Sequence, residues 1–178
     1  MIRQIELQGT YTEENLKKAM QGEANAYILY QIYAKLIGNE SKDLENRIDL
    51  ISHNEKEHFK IWAKLLLRDD YSNNDLNLVK AIRGEVEECQ NLYPEFARVA
   101  REEGFEDIAE KFEQVSRIEC NHSWDFKQIR NQINDYPAHY EQEGFKCLNC
   151  GYIHNGENTP DVCPVCDHPK SYFKKMEE

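Results

Sequence analysis

The sequence predicts a mainly α protein, a four-helix bundle followed by a small metal-knuckle domain, and three observations carry that prediction. Apolar residues recur at helical spacing through the first 133 residues. Four of the six cysteines crowd into the last 32. Carboxylates and histidines interrupt the apolar stripes at one common depth. A length of 178 residues suits one domain plus a small module. With 40% apolar residues the chain can build a core, which argues against wholesale disorder despite a negative mean hydropathy. Thirty-three acidic against 22 basic residues give a formal charge of −11. That balance excludes nucleic acid and anionic membrane as main partners, since both need a basic surface. No apolar run approaches the roughly 20 residues of a membrane span. The start, Met1-Ile2-Arg3-Gln4-Ile5, has no long apolar stretch after its single basic residue, so no secretory signal is expected. The expected location is a reducing cytoplasm, where cysteines serve as metal ligands or buried thiols rather than disulfides.

The first helix should start at the Thr10/Thr12 caps and end near Gly38. A second begins after Ser41 and runs to about Leu67. A third begins near Asn74/Asp75 and ends before Gly104, and a fourth runs from about Asp107 to Ile133. Four long helices with short or modest links predict a four-helix bundle. The bundle domain is expected over 1–138 and the knuckle domain over 139–178. The linker, about 134–144, is the polar stretch from Asn134-Asp135-Tyr136-Pro137 to Glu143-Gly144.

Each inward stripe can be traced at the 3/4 spacing of a helix seam. The first reads Leu16, Met20, Glu23, Tyr27, Tyr30, Ala34, Ile37, and the second Leu44, Ile48, Ile51, Glu55, His58, Trp62, Leu65. The third reads Leu78, Ile82, Glu85, Glu88, Leu92, Phe96, Val99. The fourth reads Ile108, Phe112, Val115, Glu119, His122, Phe126, Ile129, Ile133. With 23 Glu and six His, roughly one Glu-x-x-His match is expected by chance, so the two matches alone decide little. Chance does not supply the phasing, with acid at the same depth of all four stripes. Buried unpaired carboxylates cost several kcal/mol each, so the pattern demands compensating cations.

The bundle is also an internal repeat. Asn15-Leu16-Lys17-Lys18-Ala19-Met20-Gln21-Gly22-Glu23 aligns with Asn77-Leu78-Val79-Lys80-Ala81-Ile82-Arg83-Gly84-Glu85, and Glu55/His58 with Glu119/His122. One Glu from each odd helix and one Glu-x-x-His from each even helix make the ligand set for two metal ions. Carboxylate with imidazole suits iron or manganese, and no thiolate here biases the choice toward zinc. The repeat breaks where the first helix has Ala26 and the third has Glu88, so one metal position gains a spare carboxylate.

At the C-terminus, Cys147-Leu148-Asn149-Cys150 and Cys163-Pro164-Val165-Cys166 are two C-x2-C knuckles twelve residues apart. Together they close a tetrahedral four-thiolate site for zinc or a single iron. His154 and His168 are surplus to such a site and are expected to be non-ligands. Cys89 and Cys120 are expected to be isolated, small buried apolar groups.

The chain resembles the rubrerythrins. The resemblance is carried by Gly22-Glu23, Asn54-Glu55-Lys56-Glu57-His58, Gly84-Glu85-Val86-Glu87-Glu88, Tyr93-Pro94-Glu95-Phe96, Glu119 with His122, and the cysteine module with its tail His168-Pro169-Lys170-Ser171-Tyr172-Phe173. It implies a ferritin-like di-iron bundle followed by a rubredoxin-like domain. The di-iron ligands would be Glu23, Glu55, His58, Glu85, Glu88, Glu119 and His122, and one further iron would sit on Cys147, Cys150, Cys163 and Cys166. It further implies that Glu88 and His58 alternate on one iron as its oxidation state changes, the hard carboxylate favouring ferric iron. Tyr30 and Tyr93 are core aromatics by position. The resemblance supports a role for their hydroxyls in hydrogen-bonding ligand carboxylates or peroxide.

The activity implied is a non-haem peroxidase that reduces hydrogen peroxide to water in oxidative-stress defence. Its electrons would pass through the four-thiolate iron from an external NAD(P)H-dependent reductase or a rubredoxin. The chain carries no Gly-x-Gly-x-x-Gly fingerprint, so the nicotinamide is expected on the reductase. A ferroxidase or iron-storage protein would use the same bundle without needing an attached relay. A zinc-ribbon interaction protein would leave seven inward polar ligands unexplained. About eight residues, Asp69 to Leu76, link the second and third helices. A return along about 25 helical residues is close to 38 Å, and about eight extended residues reach only about 28 Å. Either helix ends unwind, or two chains exchange helix pairs. The expectation is a swapped homodimer in which Glu23, Glu55 and His58 of one chain meet Glu85, Glu88, Glu119 and His122 of the other.

Overall fold

The protein is described by a computed structural model over residues 7–134 and 144–176. The linker expected at about 134–144 falls mainly on residues 135–143, outside the described residues. The chain forms two compact units, Met1–Asn73 and Asn74–Glu178.

The first unit is a helical hairpin of α1 (Tyr11–Gly38) and α2 (Lys42–Leu67). Thr10 caps α1 by accepting from the Glu13 N–H at 3.2 Å, and Ser41 caps α2 by accepting from the Leu44 N–H at 3.4 Å. Each hydroxyl satisfies a backbone donor that the first helical turn leaves without a partner. Asn39 to Ser41 are too few to allow anything but an antiparallel return. The helices close on small residues. Ala34, Ser52 and Ala63 are buried, and Ser52 Oγ donates to the Tyr27 carbonyl at 2.9 Å. A short 3-10 turn, Arg68–Ser72, follows α2.

In the second unit, α3 (Asn74–Glu87), a π turn (Glu88–Leu92) and α4 (Tyr93–Glu102) run on as one helix. Gly104, at φ +86°, turns the chain into α5 (Glu106–Ile133). A three-stranded antiparallel sheet follows, ordered β2-β1-β3, from β1 (Phe145–Cys147), β2 (Ile153–His154) and β3 (Phe173–Lys175). Its register pairs Phe145 with His154 and Cys147 with Phe173. The core between α4 and α5 is built on Ala97, Ala100 and Ala109, with Phe112 against them. The Phe112 ring also meets Tyr93 and Phe96, with centroids 6.0 and 5.5 Å away.

Two expectations need correction. The first concerns the stripes. Leu44, Ile51 and Leu65 of α2 are exposed, and the face turned toward α1 carries Ser52, Glu55 and Trp62. On the third helix Leu92, Phe96 and Val99 are exposed while Tyr93, Ala97 and Ala100 turn inward. On the third helix the π turn is the cause. From Glu85 to Ala97 is twelve residues over three turns, where an α-helix takes about 10.8, and the surplus residue rotates the following face.

The second correction is to the isolated cysteines. Cys89 and Cys120 are joined in a disulfide, with Cα atoms 5.2 Å apart, inside the ordinary range for such a bridge. The π turn aims buried Cys89 at α5. Ser116 Oγ donates to the Cys89 carbonyl at 2.8 Å, and Cys120 lies one turn along the same face.

Ala109 is 0% exposed, so a larger side chain there has no free volume. Ala109→Leu is expected to destabilise the chain by about 1–3 kcal/mol through overpacking, read as a lower urea midpoint with an unchanged slope.

Candidate metal centres

Each unit brings one carboxylate–imidazole triad together. In the first, α1 supplies Glu23 and α2 supplies Glu55 and His58, with one donor atom from each all within 4.8 Å of one another. His58 Nδ1 lies 2.9 Å from Glu55 Oε2 and 3.8 Å from Glu23 Oε2. In the second, α3 supplies Glu85 and α5 supplies Glu119 and His122 under the same 4.8 Å limit. His122 Nδ1 lies 2.7 Å from Glu119 Oε2 and 3.6 Å from Glu85 Oε2. The two triads match in residue type, helix position and spacing. Glu-x-x-His sets both groups on one helical face, and the lone Glu faces them from the neighbouring helix.

The electrostatics differ between the triads. Glu55 titrates below the usual carboxylate range, held there by hydrogen bonding with Glu23 and then with His58. Glu85 titrates above it, because burial and the adjacent Glu119 disfavour its charge more than His122 favours it. Burial, and then the charges of Glu88, Glu119 and Glu85, push the Tyr93 phenol up. Tyr93 therefore lies within the electrostatic reach of Glu88 and of both carboxylates of the triad. Glu88, first residue of the π turn, is half-buried and stands outside the three-residue donor group. Tyr30 is half-buried one turn beyond Tyr27, with its ring 6.3 Å from that of Tyr33.

The four knuckle cysteines form the third cluster, again within 4.8 Å. Cys147 Sγ is 3.8 Å from Cys166 Sγ, and Cys150 Sγ is 3.7 Å from Cys163 Sγ. Sulfurs bound tetrahedrally at about 2.3 Å from one ion stand about 3.8 Å apart, so the cage has the size the ion requires. Burial pushes the Cys150 and Cys163 thiols up. Burial acts the same way on Cys166, but the His168 N–H and the neighbouring Cys150 and Asn149 side chains outweigh it and bring that thiol to about 6. His168 Nδ1 sits 3.0 Å from the Cys166 carbonyl, and its ring packs edge-on against Tyr172. His154 packs near Tyr152. Neither histidine belongs to the cluster.

The knuckle module is fastened to α5. Lys111 Nζ donates to the carbonyls of Pro164 at 2.7 Å and Val165 at 3.2 Å, and Lys146 pairs with Asp125. At Gly151, φ +79°, a Cβ would stand 2.7 Å from His122 Nε2 and 3.2 Å from Ile118 Cγ2. The turn after Cys150 therefore lies directly on the imidazole of the second triad. Sequence reasoning found the ligand candidates and missed three supports. They are this Gly151 contact, the Cys89–Cys120 bridge, and Trp62, whose Nε1–H points at Glu23 Oε1 from 3.4 Å. Trp62 was visible one turn beyond His58 in the same stripe. The Gly151 contact had no local signal.

A rubrerythrin model matches residues 14–77 and 76–145, and a model of the rubrerythrin rubredoxin-like domain matches residues 145–174. The chain belongs to the rubrerythrin family. It is 34% identical to rubrerythrin-1 of Clostridium acetobutylicum, over 97% of each chain. It is 33% identical to the rubrerythrin of Nitratidesulfovibrio vulgaris, over 96% of each. A solved mixed-valence nigerythrin matches at 27% identity, over 99% of this chain and 92% of that one, with a TM-score of 0.40. As a member of the rubrerythrins the chain is an oxidoreductase whose cofactors are a di-iron centre and an iron in a rubredoxin-like domain. The donor sets fit both groups: oxygen and imidazole for the pair, four sulfurs at tetrahedral spacing for the single ion. No described helix is long and apolar enough to cross a membrane.

Gly151→Ala is expected to strain the turn and displace the His122 ring. The expected result is a loss of bundle metal by elemental analysis with the thiolate–metal absorption band retained. Equal loss at both sites would instead mean that the module had unfolded.

Proposed function

We propose that the chain is a non-haem di-iron peroxidase that reduces hydrogen peroxide to water in oxidative-stress defence in the cytoplasm. The observation that supports this reading is the four-thiolate turn lying on His122, which would set a one-electron relay beside one half of the proposed two-ion donor set. A ferrous pair supplies in one encounter both electrons that peroxide needs. Glu23, Glu55, His58, Glu85, Glu119 and His122 are proposed to hold that pair, and Cys147, Cys150, Cys163 and Cys166 the relay iron. Glu88 is the proposed exchangeable ligand, alternating with His58. Its place at the head of a π turn, where the helical ladder is locally opened, gives it room that a regular turn lacks. Tyr93, within the electrostatic reach of Glu85, Glu88 and Glu119, keeps its phenolic proton and can donate a hydrogen bond from Oη. Tyr30 is proposed for the corresponding place in the first unit. Electrons are proposed to reach the knuckle from an external NAD(P)H-dependent reductase or a rubredoxin.

The proposed domains are a di-iron domain over 1–138 and a rubredoxin-like domain over 139–178. The proposed assembly is a homodimer with exchanged helix pairs. It is supported by one half of the ligand inventory residing on the α1–α2 hairpin and the other on α3–α5, with the short segment Arg68–Asn73 between them in the chain. Apolar side chains left exposed on both units, including Ile32, Leu36, Leu65, Phe96 and Ile129, call for a partner surface.

A reduced, anaerobic sample tests the chemistry. Mixed with hydrogen peroxide it should regain its visible ferric–thiolate absorbance quickly, and mixed with oxygen slowly. The reverse order would favour a ferroxidase, and absence of the band would assign zinc. Complementation tests the assembly. His58→Ala and His122→Ala chains, each inactive alone, should recover activity when refolded together, because exchange places both lesions in one bundle and leaves the other intact. Unexchanged chains carry one lesion in every bundle and recover nothing.

A further inference from the structure

Neither metal site uses Cys89 and Cys120, yet Cys89 directly follows Glu88, the proposed exchangeable ligand, and Cys120 directly follows Glu119 of the second cluster. The disulfide therefore ties the π turn carrying Glu88 to the helix carrying Glu119 and His122. A second tether lies one turn away, where Ser116 Oγ holds the Cys89 carbonyl at 2.8 Å. The two sulfurs sit in unequal surroundings: Cys120 is on the exposed face of α5, and Cys89 is only 8% exposed. One thiol can meet a small oxidant from solvent while the other waits beneath it, already at bridging distance.

We propose that Cys89 and Cys120 are a reversible dithiol–disulfide redox site, oxidised by hydrogen peroxide, whose oxidised form locks the Glu88 turn onto α5. The choice of oxidant rests on the peroxidase reading above. The Cys120 sulfur bonds to one peroxide oxygen as the O–O bond breaks, and the other oxygen leaves with the thiol proton as water. The Cys89 sulfur then displaces the remaining oxygen as a second water, and the S–S bond forms. Each sulfur gives one electron and peroxide takes two, so two thiols and one peroxide become one disulfide and two waters. An external dithiol reverses the step. In the reduced form the π turn keeps its Ser116 tether and loses the covalent one. The Glu88 carboxylate then gains freedom when the thiol pool is reducing and loses it under peroxide stress.

Peptide mapping of the full-length holoprotein tests this. The chain is reduced anaerobically with dithiothreitol, freed of it, given graded hydrogen peroxide, and alkylated in denaturant. The peptide linking Cys89 to Cys120 should vanish on reduction and return with peroxide, while the four knuckle cysteines stay fully alkylated. In Cys89→Ser, Cys120 should be trapped as a sulfenic acid that dimedone captures. In Cys120→Ser, Cys89 should give little adduct. A link that resists reduction in the folded protein overturns the proposal, as does peroxide oxidation without re-formation of the link. Equal adducts in the two variants would overturn the assignment of the attacking sulfur. The mapping on the unaltered chain stands even where a variant folds poorly. It is independent of iron turnover, so a link that cycles in a protein without peroxidase activity would sink the di-iron reading alone.

Discussion

Like charge held close is the constraint on which this molecule depends. Glu23 and Glu55 approach one imidazole, Glu85 and Glu119 approach another, and each set crowds its donor atoms within 4.8 Å. In the second triad the burial of Glu85 and the adjacent Glu119 outweigh what His122 returns, so that cluster favours a compensating cation. The strain is legible in Glu85, whose proton is retained above the usual range by burial and by Glu119. Helix caps, small residues at the hairpin contact and the alanine core of α4 and α5 serve one end. They hold the backbones close enough for these acids to crowd around one imidazole in each unit.

The π turn is the second element with wide consequences. One surplus residue between Glu85 and Ala97 is tolerated because the freed backbone groups find partners, the Cys89 carbonyl taking the Ser116 hydroxyl. The same surplus redirects three side chains. Glu88 begins the turn, Cys89 faces α5, and Tyr93 turns inward within the electrostatic reach of Glu85, Glu88 and Glu119. A regular helix through this stretch would carry the same residues and present a different set of them.

Helix limits were readable from the sequence because they depend on local chemistry: Thr10 and Ser41 cap where expected, and Gly104 ends the third helix. The triads were readable because Glu-x-x-His fixes its own geometry, and the cysteine knuckles for the same reason. What escaped depends on contacts distant in sequence. The π turn hid inside a stripe that still looked periodic through Glu88, Leu92 and Phe96, and only the run of four-residue steps through Glu85, Cys89, Tyr93 and Ala97 betrays it. The Cys89–Cys120 bridge depends on that turn, so missing one meant missing the other. The exposure of Leu44, Ile51 and Leu65 escaped because the spacing of a stripe shows that it is apolar, and not whether α1 packs on it.

Fastening the cysteine module to α5 also bears on how unequal electron demands are reconciled. On the proposed peroxidase reading, peroxide would take two electrons at once, and a single four-thiolate iron would pass them one by one. A relay free in solution would have to find the bundle twice for each turnover. Here Lys111 grips the second knuckle through the Pro164 and Val165 carbonyls, Lys146 pairs with Asp125, and the turn at Gly151 rests on the His122 ring. Three attachments along one helix leave the Cys150 turn little freedom to lift away, so on that reading both passages would use the same short contact. The bulk of any side chain at position 151 would fall on His122 Nε2. Glycine there meets two demands with one residue: a backbone at positive φ, and van der Waals contact between the thiolate turn and the imidazole beneath it.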